Sequence, residues 1–235
     1  MKTTTKTGLA VVLLLAISCK KENNILQSSR TADNNPTSDV ITVTTAKYPS
    51  VQIGSQKWMA KNLDVSRYRN GDKIPHVKNP ATWAALTTGA WCYYNNDSAN
   101  GAIYGKLYNW YAVNDPRGLA PNSYHIPSDA EWTTLTTFLG GDLVAGGKMK
   151  ETGTTHWAAP NTDATNSSGF TALPGGFRYY ADNGNDGAFY GIGTSSSWWS
   201  STGYAWYRYL VYNNGSVFRY SDYLRVGYSV RCIKD

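Results

Sequence analysis

The sequence predicts an α+β domain of short strands, one or two helices and much irregular chain, and three observations carry that expectation. Apolar and polar residues alternate with period two in short runs broken by turn residues, as in Val51-Gln52-Ile53, Gly54-Ser55, Lys57-Trp58-Met59, which is the pattern of a hairpin. One helix is written plainly, because Ser128 precedes an apolar repeat and Glu131 follows it by three residues, the spacing of a capping box. Finally, 18 Tyr, 9 Trp and 5 Phe stand among few aliphatic side chains, so the core must be built largely from rings.

The chain opens on a leader. Lys2 and Lys6 precede an apolar run from Gly8 to Ile17 that is too short to span a bilayer as a mature helix. The run closes on Leu15-Ala16-Ile17-Ser18-Cys19, which resembles a bacterial lipoprotein signal, cut before a cysteine that is then acylated. The preferred Leu stands one place further from Cys19 than usual. A plain secretory signal with an incidental cysteine is the alternative. Lipidation at Cys19 anchors a protein to a membrane without spanning it, so residues 1–18 are read as a signal peptide and the protein as exported, to the outer membrane or cell surface. Residues 19–46 are rich in Asn, Ser, Thr and Asp. They bury too little apolar surface to offset ordering and are expected to be a flexible tether. The domain is expected over 47–235, long enough for one real core.

Inside the domain, aromatic runs at Trp91-Cys92-Tyr93-Tyr94 and Leu107-Tyr108-Asn109-Trp110-Tyr111 mark core segments. The helix that Ser128 caps has Asp129 and Glu131 in its first turn, where the helix dipole favours acids. Trp132, Leu135 and Leu139 recur at helical spacing with Phe138 beside them, and Gly140-Gly141 ends the helix. Trp132 is therefore a core residue. A second, shorter helical piece is expected over Leu143 to Glu151. Asp186-Gly187 then supplies a turn between Tyr179-Tyr180 and Phe189-Tyr190.

The chain ends in its most informative stretch. Seven tyrosines fall in the 25 residues from Tyr204 to Tyr228, where the chain-wide rate of 18 in 235 gives roughly two. They are interleaved with Asn, Ser, Gly and Arg, a mixture that recognition surfaces use because Tyr adds contact area at low rotamer cost. Trp206 to Tyr212, the turn Asn213-Asn214-Gly215 and Ser216 to Tyr220 read as a hairpin. Alternation puts Trp206, Arg208, Leu210 and Tyr212 on one face and Tyr207, Tyr209 and Val211 on the other. Trp206 and Leu210 suit a core; Tyr207 and Tyr209 are expected outside. Candidate ligand-binding residues are Tyr207, Tyr209, Tyr212, Asn213, Asn214, Ser216, Phe218, Tyr220 and Tyr223, with Tyr212 included only if the strand ends or bulges near Asn213. The competing reading is that Tyr is simply a good strand residue.

Charge and cysteine content exclude several classes. The net charge of +6 falls to +4 once Lys2 and Lys6 leave with the leader, and Lys20-Lys21 is the longest basic run. Nucleic acid is therefore not an expected partner. Besides Cys19 the chain has Cys92 and Cys232; an even pair in an exported protein predicts a disulfide, with two separate buried thiols as the alternative. Two cysteines without clustered histidine make no zinc site. Asp182-Asn183-Gly184-Asn185-Asp186-Gly187 has the look of an EF-hand start, but Gly184 and Gly193 stand where ligands belong. No metal and no cofactor are expected.

Six motifs occur in order: Ile53-Gly54-Ser55-Gln56-Lys57-Trp58-Met59-Ala60-Lys61-Asn62-Leu63, Tyr104-Gly105-Lys106-Leu107-Tyr108-Asn109-Trp110, Pro127-Ser128-Asp129-Ala130-Glu131-Trp132, Gly169-Phe170-Thr171-Ala172-Leu173-Pro174-Gly175-Gly176, Trp199-Ser200-Ser201-Thr202 and Ser229-Val230-Arg231-Cys232. Over roughly 48–235 they resemble the Fibrobacter succinogenes major paralogous domain (FISUMP) family of exported bacterial proteins. Leu119 to His125 departs from that family, whose members read nearer to CPxGWH. More distantly, His125 to Trp132 resembles the helix entry RLPTEAEW of formylglycine-generating enzymes. That resemblance implies a C-type-lectin-like fold. The closing segment is similar to adhesin domains and to lectin-fold proteins diversified by retroelements, in which the outward positions of the final hairpin bind ligand.

Catalysis has little support. Formylglycine-type oxidation needs a close cysteine pair holding a soft metal, and neither Cys92 nor Cys232 lies in such a motif. A glycosidase needs two carboxylates across a cleft, yet Asp129 and Glu131 are explained as caps. His76, His125 and His156 are far apart in sequence with no nucleophile motif beside them. The expectation is a non-catalytic surface lipoprotein that binds a glycan, by stacking sugars on ring faces, or a protein, with the same tyrosines as anchors. A structural surface protein without a small ligand is the third class.

Overall fold

The computed structural model describes residues 48–180 and 187–235. The leader over 1–18, Cys19, the tether and the Asp182–Asp186 part of the second hairpin turn lie outside the described residues. Strands β1 (Ser50–Ile53) and β2 (Gln56–Met59) form the first expected hairpin. Its register, Ile53↔Gln56, leaves the two-residue turn Gly54-Ser55, and Gly54 takes φ 58 there, which glycine adopts without steric cost. The chain then runs through α1 (Pro80–Ala84), β3 (Trp91–Cys92), a 3₁₀ turn, α2 (Ser98–Tyr104), β4 (Leu107–Tyr108), α3 (Trp110–Val113) and β5 (Tyr124–His125). These pieces are brief because their aromatics pack from irregular chain.

Helix α4 (Asp129–Phe138) starts at the predicted box, in which the Ser128 hydroxyl accepts from Glu131 N and the Glu131 carboxylate accepts from Ser128 N. Gly140 and Gly141, at φ 101 and 97, end it as their conformational freedom allows. Helix α5 (Asp142–Met149) follows, one residue earlier at its start than expected and ending two sooner. It carries Gly146 and Gly147 at a propensity cost because neighbouring backbone presses on it: a Cβ at Gly146 would lie 2.4 Å from the Ser216 carbonyl oxygen and one at Gly147 2.4 Å from that of Asp163.

The remaining strands are β6 (Gly175–Arg178), β7 (Phe189–Ile192), β8 (Ser195–Trp199), β9 (Trp206–Val211), β10 (Phe218–Ser221) and β11 (Ile233–Lys234). They make a five-stranded sheet in the order β10-β9-β8-β6-β7, while β11 enters a four-stranded sheet, β1-β2-β11-β5, and β3 pairs β4. Strands β6 and β8 meet only at Gly176↔Ser196. Beyond that point the closing segment wedges between them, with Gly227 bridging Arg178 and Ser229 bridging Trp198. The architecture is α+β, as predicted.

Two core clusters sandwich the five-stranded sheet, since Trp198 belongs to the one with Trp58, Trp132 and Phe170 and Trp199 to the one with Tyr108, Tyr228 and Val230. Adjacent strand residues point opposite ways, and both indoles are fully buried. The ring-built core is literal: Trp58 lies 4.6 Å from Trp132 and 5.6 Å from Phe170, centroid to centroid. Several buried cations are held by carbonyl oxygens. Arg178 donates to Gly187, Val77 and Lys78, and Lys150 to Thr162, Val211 and Asn214. The carbonyls meet the donors that burial would otherwise leave bare.

The predicted Cys92–Cys232 bridge is not formed. Both thiols are free and buried, Cys92 against Trp83 and Leu107 and Cys232 in the cluster of Met59 and Tyr108. Each fills a different core as a small apolar residue. Burial pushes the Cys92 thiol up to about 12 and raises Cys232 as well, so both stay protonated and unreactive.

Candidate functional site

The final hairpin sets the geometry. Registers Tyr209↔Phe218 and Tyr207↔Tyr220 place these four rings on one face of the sheet, opposite Arg208↔Arg219. On the helix side Arg208 and Leu210 are buried; Arg208 donates to the Asp129 carboxylate at 2.6 Å and Arg219 at 2.9 Å, which docks the sheet on the start of α4. The predicted two faces are therefore present, with the tyrosines away from the helices.

The tyrosine face is less uniform than alternation implies. Tyr220 is 50 % exposed, whereas Tyr207 is half-buried, its ring 4.6 Å from Tyr228 and 6.1 Å from Trp199. The Tyr228 hydroxyl donates to the Asp222 carboxylate at 2.6 Å. Burial pushes the Tyr207 phenol above its usual range and Tyr228 well above it. Tyr207 is thus part of the core edge. Tyr209 is likewise raised by burial, and it stands across from the buried Ser197 of β8.

The face continues past the hairpin onto strands that the sequence reading left out. Pairing of Phe177 with Tyr190 carries it to β7. Phe177 lies 5.8 Å from both Tyr190 and Tyr228, so Tyr228 joins the hairpin rings to those of β6 and β7. From Tyr190 the rings run on to Tyr179 at 6.4 Å, from there to Tyr180 at 4.9 Å, and on to Tyr223 at 4.4 Å. At the hairpin end, Tyr220 stacks on Phe218 at 6.2 Å and 11°. Tyr190 is 39 % and Tyr223 61 % exposed. No residue that the five strands direct to this face is charged. The signal for the extension was present in Phe177-Arg178-Tyr179-Tyr180 and Phe189-Tyr190, whose alternation resembles that of the last hairpin.

The turn residues do not join this face. Tyr212 packs with the helix-side cluster, as strict period two gives; β9 ends one residue earlier without bringing it round. Asn214 accepts from Ser216 N through its side chain and from Lys150 through its carbonyl. Ser216 donates to Leu143 in α5, and Asn213 is exposed at the tip. Asn214 and Ser216 hold the turn against α5, away from the rings. The candidate binding set contracts to Tyr207, Tyr209, Phe218, Tyr220 and Tyr223 and gains Phe177, Tyr179, Tyr180 and Tyr190.

Other chemistry-bearing groups are dispersed. His76 stacks on Trp91 at 3.9 Å, His125 bridges Asp235 and Glu131, and His156 pairs with Glu151 at 2.8 Å. Among the described residues no three His, Cys, Asp or Glu side chains come together as a metal site. A cleft of about 820 Å³ lies elsewhere, lined by Tyr48, Lys61, Asp64, Arg67, Arg69 and Asn122.

The chain is similar to the Fibrobacter succinogenes major domain family, whose model matches residues 51–234. No curated protein and no solved structure matches it.

Proposed function

The chain belongs to the Fibrobacter succinogenes major domain family, and on that premise we propose a non-catalytic recognition module that binds a glycan or protein ligand across the ring-covered face of its sheet. The observation that supports this reading is the unbroken run of rings from Phe218 to Tyr223, in which Tyr220, Tyr190 and Tyr223 are exposed. Packing alone does not require an aromatic to stay half in water, and an exposed ring-rich surface is a recognition surface. The likeness of His125 to Trp132 to the helix entry of formylglycine-generating enzymes supports a C-type-lectin-like relation as the wider fold kinship. In this reading the protein is exported and lipid-anchored through Cys19 at the outer membrane or cell surface, with the domain displayed for adhesion.

Two measurements test it. Labelled palmitate is incorporated in cells and lost in Cys19→Ala; incorporation that survives the change rules out the anchor. The chain, screened on a glycan array and a panel of extracellular proteins, binds at least one ligand, and Tyr220→Ala weakens that binding by about 1–2 kcal/mol. Equal affinity for the wild type and a Tyr190→Ala, Tyr220→Ala, Tyr223→Ala triple variant would refute the ring face as the site.

A further inference from the structure

Resting on that reading, we infer that the ring face takes an uncharged polysaccharide laid across the strands, and that Tyr190 at the β7 edge is as much a part of the site as Tyr220 at the β10 edge. At the level of these rings the order is β10, β9, β8, the closing segment at Tyr228, β6 and β7, so the edges are separated by five steps, about 24 Å at the usual spacing of about 4.8 Å. That length fits several consecutive sugars and exceeds what a compact ligand needs.

Shape argues the same way. Small ligands are enclosed in concave pockets, whereas the large cleft and two smaller ones, beside Gln56 and beside Asp163, are lined by other residues. The ring face is an open platform. Charge then separates polysaccharide from protein. Protein interfaces draw on Arg together with Tyr and Trp, but the arginines of this hairpin, Arg208 and Arg219, are turned to the opposite face and engaged by Asp129. What the strands present is neutral, phenol rings and the serines of β8 beside Tyr209, and the Asp222 carboxylate at its margin is taken up by Tyr228. A neutral, hydroxyl-bearing polymer complements it. The apolar C–H faces of its sugars stack on ring faces, and its hydroxyls meet phenol oxygens.

The test uses the full chain with insoluble cellulose, xylan, mannan and chitin, and then oligosaccharides of two to eight units cut from whichever polymer retains it. At least one polymer retains the protein. Affinity rises about tenfold or more between two and six units, because short chains reach only one edge. Tyr190→Ala and Tyr220→Ala each lower affinity for the six-unit chain about five- to tenfold, the effect of losing roughly one stacked ring. Melting temperature confirms that the variants fold, and Tyr190→Phe, which keeps the ring, binds within about twofold of wild type. Retention on none of the four polymers overturns the polysaccharide assignment; a protein ligand lost in Tyr220→Ala would do the same and leave the recognition reading intact. Loss in Tyr220→Ala with no effect of Tyr190→Ala confines the site to the hairpin and overturns the platform.

Discussion

At the scale of single residues, neighbouring tyrosines of one strand face have different work. Tyr207 is packed on Tyr228 and Trp199, while its cross-strand partner Tyr220 is half exposed. Removing a half-buried ring leaves part of a cavity, so Tyr207→Ala is expected to destabilise by about 2 kcal/mol, some half of the cost of a fully buried aromatic. Tyr220→Ala should stay within about 0.5 kcal/mol of wild type, and Leu210→Ala, fully buried, should cost about 2–5 kcal/mol. Denaturant unfolding of the three variants checks the order. A Tyr220→Ala as damaging as Leu210→Ala would make the exposed rings packing. Alternation told which way each side chain leaves the strand; it could not tell that Tyr228, eight residues downstream of Tyr220, would come round to pack on Tyr207.

Helix α4 shows how one acid can carry two duties. Asp129 was legible as a first-turn acid, and it is one. Its carboxylate also receives Arg208 and Arg219 from adjacent strands, and although burial works against ionisation, these cations hold its pKa below the usual carboxylate value. Arg208 is 2 % exposed, and its Nε has no acceptor. Asp129→Ala therefore strips a buried guanidinium of its counter-ion, a loss expected to cost about 3 kcal/mol, well above the roughly 1 kcal/mol of a lost cap. Thermal unfolding of Asp129→Ala beside Ser128→Ala distinguishes them, and adding Arg208→Met to Asp129→Ala should restore most of the stability. Equal effects of the two single changes would reduce Asp129 to a helix-end residue.

Across the whole molecule, His125 on β5 joins the start of α4 to the chain terminus through Glu131 at 2.7 Å and Asp235 at 2.8 Å. Partial burial lowers its pKa, but hydrogen bonds and charge from the two carboxylates outweigh it, and the net shift is upward. A histidine raised on folding adds stability that is complete below its unfolded pKa, about 6.5. That stability is lost as pH rises through the higher folded value. The melting temperature of wild type should therefore fall between about pH 6 and pH 8 more steeply than that of His125→Gln. Parallel profiles would show that the bridge contributes nothing to folding.

What the sequence determined by itself was local. The capping box at Ser128, the Gly54-Ser55 turn, the glycine stop after α4 and the two faces of the last hairpin all depend on residues within a few positions of one another, where backbone sterics and side-chain period decide the outcome. The six ordered motifs likewise placed the family. Tertiary structure decided what depends on distant segments meeting. It separated Cys92 and Cys232 into different cores, buried Trp198 along with Trp199, and kept Tyr212, Asn214 and Ser216 with α5. It also joined Phe177 and Tyr190 to the hairpin tyrosines, because Gly227–Ser229 enters between β6 and β8 and Tyr228 bridges the rings on either side. No spacing along the chain encodes that insertion, since it follows from which strand edges were left open once the sheets had packed.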